Sequence, residues 1–278
     1  SLFNSAGATH VVADVGGWYG ASGATAGSRY HPVAPSRLLD TRVGLGSLLS
    51  SLLPLGILDL QVSGRGGVPA SGVTAVAVNV AVTRPLLGGY LTAWPSGEPL
   101  PLASSLNFAA GQTVANLVVV KVGSDGKINL FNGGGGLHVV ADVAGWFGPD
   151  GETTGARYHT LTPARVLDTR TATGAPAAPV TAGGTLDLQV TGRGGVPASG
   201  VTAVILNVAV VDPVGAGYLT GWPAGEPMPL ASSLNFAAGQ TVPNLVVAKL
   251  GAGGTLSLYN GGGTAHIVAD VAGWYGAG

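Results

Sequence analysis

The chain has 278 residues, of which 9% are charged, and its formal net charge at pH 7 is −1. A typical soluble domain carries about 25% charged residues, so this surface has little electrostatic protection against self-association. No basic patch is present that would bind nucleic acid, and the absence of cysteine excludes disulfides and thiol-based sites. No apolar stretch reaches the ~20 residues of a membrane-spanning helix, so no membrane span is predicted.

The chain repeats itself. Residues 29–148 recur without a gap as residues 157–276, at a period of 128 residues, and residues 10–20 match the end of both copies. Such self-similarity identifies an array of one structural unit, which favours display, binding or assembly over catalysis. The predicted organisation is a C-terminal hairpin of a preceding or permuted repeat (1–20), a linker (21–28), a first β-sandwich (29–148), a linker (149–156) and a second β-sandwich (157–276).

Within one unit, short apolar strands alternate with Gly- and Pro-rich turns. The predicted strands include 58–62, which alternates in polarity, the Val- and Ala-rich runs 73–82 and 116–122, and the terminal segment 138–147. Asp125-Gly126 supplies a hairpin turn. Roughly seven or eight strands in about 120 residues predict an all-β fold, as tandem β-sandwich repeats of jelly-roll or immunoglobulin-like topology. A β-trefoil is the main alternative, but the unit shows no threefold sub-repeat.

The window 43–57 differs most between the two units and is therefore a surface candidate. The first unit has a leucine-rich version, whereas the second has an Ala-, Pro- and Gly-rich version at 171–185. Exposed leucines here would meet another subunit, or the segment would cover the core of its own unit. The residues of this predicted assembly interface are Leu48, Leu49, Leu52 and Leu53, joined by Leu2 and Phe3.

Asp142 lies in an apolar strand, where an ionised carboxylate needs a partner. We expect an Arg or His of the same unit, with Arg42 favoured. His138, Asp142 and Trp146 are spaced by four residues, which places them on one face of a strand. No nucleophile motif accompanies them, so the prediction is a structural polar cluster and no catalytic residue. Its members are His138, Asp142 and Arg42, with His266, Asp270 and Arg170 in the second unit.

Two pairs of aromatic residues could bind a sugar by ring stacking. They are Tyr90 with Trp94 and, in the second unit, Tyr218 with Trp222; the alternative is that they fill the core or cover a sheet edge. Asn107, Gln112, Asn116 and Asn132 could likewise satisfy backbone groups in turns. The histidines and acidic residues lack the spacing of metal ligands, so no metal and no cofactor are expected.

Both units share a set of short motifs in the same order: Arg-Tyr-His, Leu-Asp-Thr-Arg, Gly-Arg-Gly-Gly-Val-Pro, Ser-Leu-Asn-Phe, Gly-Gln-Thr-Val and Val-Ala-Asp-Val-Ala-Gly-Trp. In this respect the chain resembles the repeated β-rich modules of secreted actinobacterial surface and cell-wall-associated proteins, over nearly its whole length. The resemblance implies export and an accessory or structural role, with no catalytic residue to carry over.

We therefore expect a non-enzymatic extracellular protein that associates with itself as a filament, surface layer or adhesive stalk. The alternative is a module that binds carbohydrate or cell-wall polysaccharide and assists a secreted hydrolase.

Overall fold

A computed structural model describes residues 4–20, 27–149 and 151–277. These residues form sixteen β-strands and no helix, and the strands pair into four antiparallel sheets of four strands. The prediction of an all-β protein is confirmed. In the part of the chain that the structure describes, no helix is present that could cross a membrane.

Each unit contributes eight strands. In the first unit they are β1 (Tyr30–Asp40), β2 (Ile57–Gln61), β3 (Ala75–Thr83), β4 (Gly89–Pro95), β5 (Leu106–Phe108), β6 (Val114–Lys121), β7 (Lys127–Asn132) and β8 (His138–Phe147). In the second unit they are β9 (Arg157–Asp168), β10 (Thr185–Gln189), β11 (Val201–Val211), β12 (Gly217–Pro223), β13 (Leu234–Phe236), β14 (Val242–Lys249), β15 (Thr255–Asn260) and β16 (His266–Gly276).

The strand order is the same in both units. The first has sheets β1-β8-β3-β6 and β2-β7-β4-β5, and the second has sheets β9-β16-β11-β14 and β10-β15-β12-β13. Eight strands divided equally in this order form the jelly roll, one of the two topologies that the sequence left open. An immunoglobulin-like domain divides its strands unequally between its two sheets.

The core of each sandwich comes from strict alternation along the strands. In β3, Val76, Val78, Val80 and Val82 are fully buried and point between the two sheets, while the residues between them face outward. Valine suits this position because its branched side chain packs well on a pleated surface. The odd-numbered residues of β3 therefore lie on the outward face of the sheet.

A bulge interrupts β8 and reverses its alternation. Gly145 pairs with Ala77 and Val143 with Val78, so Ala144 is the extra residue. As a result Trp146 turns toward the core, whereas Asp142 points outward. The prediction that these two residues share one face is therefore wrong, because the spacing rule assumes an unbroken strand.

Residues 4–20 form no strand, although nearly the same sequence forms β8 and β16 in the two units. Val12, Val15 and Trp18 are largely exposed. Tyr19 is anchored: its hydroxyl lies 2.8 Å from that of Tyr275. The predicted interface residues Leu2 and Phe3 lie outside the described residues.

The segment that joins the units packs on the first of them. Ala156 and Tyr30 exchange two backbone hydrogen bonds of 2.8 and 3.0 Å. Glu152 lies 2.9 Å from Nε2 of His31, whose ring stacks on Trp146 with 3.8 Å between centroids. In the predicted linker, Glu152 and Ala156 therefore pack against the first unit.

Candidate functional site

The two sandwiches meet through outward faces of their sheets, and this contact is the most elaborate site in the described residues. Its apolar part is a cluster of buried side chains to which both units contribute: Tyr30, Ala77, Phe147, Ala156, Ala203, Ile205, Val247 and Tyr275. The rings of Tyr30 and Tyr275 lie 4.4 Å apart, and the Tyr30 hydroxyl donates to the Ala144 carbonyl at 2.9 Å. Burial raises the pKa of both phenols far above the ordinary value, so both stay protonated.

Beside the tyrosines lies a polar part, built on an ion pair of the first unit. Arg37 Nε and Nη2 donate to the two oxygens of Asp142 at 2.8 and 3.1 Å. The pair is covered by the second unit: Arg37 Nη2 also donates to the Leu230 carbonyl at 2.9 Å, and the Ser232 amide donates to Asp142 at 3.3 Å. Burial raises the pKa of Asp142, and the Arg37 hydrogen bonds oppose this shift.

An asparagine pair completes the polar contact. Asn79 Nδ2 donates to the Ser232 carbonyl at 2.6 Å, and Asn244 Nδ2 donates to Asn79 Oδ1 at 2.9 Å. Asn244 Oδ1 accepts from the Leu117 amide at 3.4 Å, which is a long bond. Hydrogen bonds thus run in both directions across the contact, and they fix how one unit sits on the other.

The partner of Asp142 differs from the favoured one. It is an arginine of its own unit, as expected, but Arg37 and not Arg42. Arg42 binds Asp40 two residues before it, at 2.6 and 2.8 Å, because the turn after β1 folds its side chain back on that carboxylate. His138 is also separate from Asp142, since its Nδ1 lies 3.0 Å from the Thr41 hydroxyl.

The second unit divides the predicted cluster in the same way. Asp270 pairs with Arg165, Arg170 with Asp168, and His266 with Thr169. Hydrogen bonds from Arg170 hold the pKa of Asp168 well below its ordinary value. In each unit one arginine bridges two carboxylates: Arg37 lies against both Asp142 and Asp40, and Arg165 against both Asp270 and Asp168. Arg42 and Arg170 therefore join this network only through the second carboxylate, and the network built on Asp142 is the one that contacts the other unit.

The predicted sugar platform lies on the outward face of the other sheet. Trp94 is buried, with 4% of its surface exposed, and its indole donates to the Glu98 carbonyl at 2.9 Å. Tyr90 keeps 39% of its surface exposed and lies over Gly133, where a Cβ would collide with the ring. The buried indole cannot stack on a ligand, so the prediction for Trp94 is corrected to a role in holding its own loop.

In the second unit the aromatic residues repeat this arrangement. The indole of Trp222 is buried and donates to the Glu226 carbonyl at 2.9 Å, whereas Tyr218 is partly exposed. Each exposed tyrosine has an aromatic neighbour on the same face: Tyr90 lies 6.0 Å from Phe131, and Tyr218 lies 6.1 Å from Tyr259. Phe131 is buried like the tryptophans, so a platform on this face would consist of the exposed tyrosines.

The leucine-rich segment of the first unit is exposed at three of its four predicted positions. Leu48, Leu49 and Leu53 face solvent, whereas Leu52 is buried and pairs with Leu137 by two backbone hydrogen bonds. Neither the buried apolar cluster nor the hydrogen bonds described between the units include a residue of this segment. Leu52 therefore covers the core, and the other three leucines remain a surface candidate.

The predicted role of the amides in turns is clearest at Asn132. Its Nδ2 donates to the carbonyls of Leu52, Leu53 and Gly135 at 2.9 to 3.1 Å, and its Oδ1 accepts from the Gly134 amide. This fully buried amide therefore holds the turn before β8. The described residues contain no group of three or more His, Asp or Glu side chains placed to hold a metal ion.

No family model and no curated protein matches the chain. Among solved structures it is similar to the N-terminal CBM22-1–CBM22-2 tandem domain of Paenibacillus barcinonensis Xyn10C, at 11% identity and a TM-score of 0.23, over 88% of this chain and 98% of that one. It is also similar to the major capsid protein P2 of bacteriophage PM2, at 9% identity and a TM-score of 0.25, over 87% and 97% of the two chains. For the PBSX exported protein XepA the identity is 15% and the TM-score 0.25, over 87% and 83%. Likeness at this distance carries no inference about function.

Proposed function

We propose that the chain is a non-enzymatic structural protein of the cell exterior, whose jelly-roll units dock on one another to build a filament, a surface layer or an adhesive stalk. The observation that carries the proposal is the contact between the two units. It combines a buried tyrosine cluster with the Arg37–Asp142 pair, which the second unit covers. The extracellular location rests on the resemblance to secreted surface modules.

The contact suits a mechanical role because its buried ion pair depends on groups from both units. A charged pair is costly to bury unless its geometry is good and its remaining lone pairs are satisfied, and here the second unit supplies a donor and an acceptor to it. Such a contact specifies one arrangement of the two units and so holds them as one rigid body. The low charge of the whole surface also favours packing against further protein.

Small-angle X-ray scattering of the full chain tests this arrangement. We expect one compact particle whose scattering matches the docked pair of units. Ile205→Arg places a charge in the apolar part of the contact without touching the core of the sandwich, and should give a longer, variable particle. Leu48→Arg, at an exposed position, is the control and should leave the curve unchanged. Scattering of the unmodified chain that requires two freely moving units would contradict the proposal.

Carbohydrate or cell-wall binding is the second candidate function, and the exposed tyrosines Tyr90 and Tyr218 favour it. Tyr90 and Phe131 share an outward face with Asp59 and Asn129, which pair across β2 and β7. The Asn129 side-chain oxygen is buried and makes no hydrogen bond within the structure. An exposed tyrosine ring beside an exposed carboxylate can stack on a sugar ring and bind its hydroxyls.

Polysaccharide pull-down separates this candidate from the first. If the face binds glycans, Tyr90→Ala combined with Tyr218→Ala should abolish retention on peptidoglycan or other cell-wall polysaccharide while the fold persists. Retention that is unchanged in the double variant, or absent in the unmodified chain, would rule out this face as a glycan site.

A further inference from the structure

The polar contact joins a loop of one unit to a cluster of side chains of the other. The repeat places such a loop and such a cluster in both units, but only one loop and one cluster bind each other within the chain. The segment Pro-Leu-Ala-Ser-Ser occurs at 101–105, the first docking loop, and at 229–233, the second docking loop. Arg37, Asn79 and Asp142 form the first docking cluster, to which the second docking loop binds. The second docking cluster comprises the equivalent residues of the second unit: Arg165, Asn207 and Asp270.

The second docking cluster has the same internal geometry as the first but is open to solvent. Arg165 binds both oxygens of Asp270 at 2.8 and 3.0 Å, as Arg37 binds those of Asp142. The side chain of Arg165 is 45% exposed against 15% for Arg37, and that of Asp270 is 28% exposed against 3% for Asp142. The cluster therefore presents a formed donor and acceptor pattern with nothing seated on it in the described residues.

The first docking loop is not bound by a docking cluster in the described residues, and the same hydrogen bonds hold it in place as hold the second docking loop. Thr92 donates to the Ala103 carbonyl at 2.9 Å and Asn116 to the Ser105 carbonyl at 2.7 Å. The equivalent bonds in the second unit, from Thr220 to Ala231 and from Asn244 to Ser233, measure 2.8 and 2.6 Å.

The groups that the second docking loop uses for binding are its Leu230 carbonyl and both backbone groups of Ser232. The equivalent groups of the first docking loop, on Leu102 and Ser104, make no hydrogen bond among the described residues, and Leu102 is fully exposed.

We propose that the second docking cluster of one molecule binds the first docking loop of a second copy of this chain. The inference rests on the proposed structural function and names its partner. Each molecule carries one open cluster and one open loop, so the contact joins different surfaces and can continue from copy to copy. Arg165 and Asn207 would donate to the Leu102 and Ser104 carbonyls, and Asp270 would accept from the Ser104 amide.

The contact between copies is smaller than the contact within one chain. The second unit supplies its apolar part of the contact from four residues that are already buried against the first unit: Ala203, Ile205, Val247 and Tyr275. Only the polar part is free to repeat, so the association depends on concentration and is weaker than the docking inside the molecule. The chains of molecules therefore grow as the protein is concentrated or crowded on a surface.

Sedimentation velocity of the full chain over a wide concentration range tests the proposal, with electron microscopy of the concentrated sample. We expect the mean mass to rise with concentration and linear particles to appear. Asp270→Ala removes the acceptor of the cluster, and Leu102→Glu places a negative charge on the loop opposite Asp270. Each should weaken association at least tenfold. The matched controls are Asp125→Ala, which removes an exposed carboxylate, and Leu86→Glu, which adds a negative charge at an exposed leucine; both positions lie outside the docking clusters and the docking loops.

A mixture of two variants gives the sharpest result. The Asp270→Ala molecule keeps a working loop and the Leu102→Glu molecule keeps a working cluster. Each alone should stay monomeric, and the mixture should form heterodimers and no longer species. Leu102 is fully exposed, so the Leu102→Glu variant is expected to keep its fold. A strict monomer at every concentration, or association that both variants leave intact, overturns the inference. A rigid monomer would still leave the proposed docking of the two units standing.

Discussion

Removing one carboxylate from each unit measures what the docking contributes. Asp142→Ala and Asp270→Ala are the same substitution at equivalent positions, and each removes the partner of one arginine. In the first unit the pair is buried by the second unit, whereas in the second unit it faces solvent. The two variants therefore differ mainly in the contact between the units.

The expected magnitudes follow from this burial. Breaking a buried pair costs about 3–5 kcal/mol, because a charge is left without a partner. Arg37 keeps Asp40 at 3.4 Å, which places Asp142→Ala at the lower end, about 3 kcal/mol. An exposed pair contributes about 0.2–1 kcal/mol, and this is the cost expected for Asp270→Ala. The free energy of unfolding should thus differ between the variants by about 2 kcal/mol.

Urea unfolding followed by tryptophan fluorescence measures this difference. The first unit should unfold at a lower urea concentration in Asp142→Ala, and the loss of the Ser232 hydrogen bond should weaken its coupling to the second unit. Far-ultraviolet circular dichroism before denaturation serves as the control for folding. Equal losses in the two variants would refute the reasoning, because the burial of the first pair would then have no energetic consequence.

Three further predictions concern single features. Trp94→Ala should destabilise the first unit by about 3–5 kcal/mol, measured by thermal unfolding, because its indole is buried and donates a hydrogen bond to its own loop. A change below about 1 kcal/mol would favour the original prediction that Trp94 belongs to a ligand-binding platform. The folded pKa of Asp168 lies below its ordinary value of 3.8, so this group stabilises the fold above that pH and the stabilisation is lost as the pH falls. Arg170→Gln should flatten the dependence of the urea midpoint on pH between about 2 and 4, and an unchanged dependence would contradict the assignment. Finally, backbone amides of residues 10–19 should exchange with deuterium rapidly while those of 138–147 are protected, because only the latter are paired in a sheet; equal protection would show that the first segment is paired.

The class of fold could be predicted from the sequence because the alternation of core-facing and outward-facing residues along a strand is visible in the order of residue types. The buried valines of β3 occur at every second position, and turns rich in glycine separate the strands. The sequence was also sufficient to require a partner for Asp142, since a carboxylate in an apolar strand must be compensated. The order of the strands in the sheets could not be predicted from the sequence, because β1 and β8 pair although nearly the whole unit separates them along the chain.

The errors at the site have a local physical origin. A bulge adds one residue and turns Trp146 to the other face, and no residue type in the sequence marks Ala144 as the extra one. Arg42 was favoured over Arg37 as the partner of Asp142 although both lie near the end of β1. Register decides between them: Arg37 stands directly opposite Asp142 in the sheet, while Arg42 lies in the turn beyond Asp40.

The contact between the units could not be predicted from the duplicated sequence, because equivalent positions of the two units resemble each other. Arg37 and Arg165 stand at equivalent positions, each two residues before Leu-Asp-Thr-Arg, and make the same ion pair, so the sequence does not distinguish their roles. Their surroundings differ because the second unit lies on the outward face of the first, and no other described part of the chain lies in the same way on the second. Any two identical units joined in one direction leave one such face and one such loop unused. The difference between the pairs thus arises from their order in the chain, and a further copy that docks in the same direction would remove it.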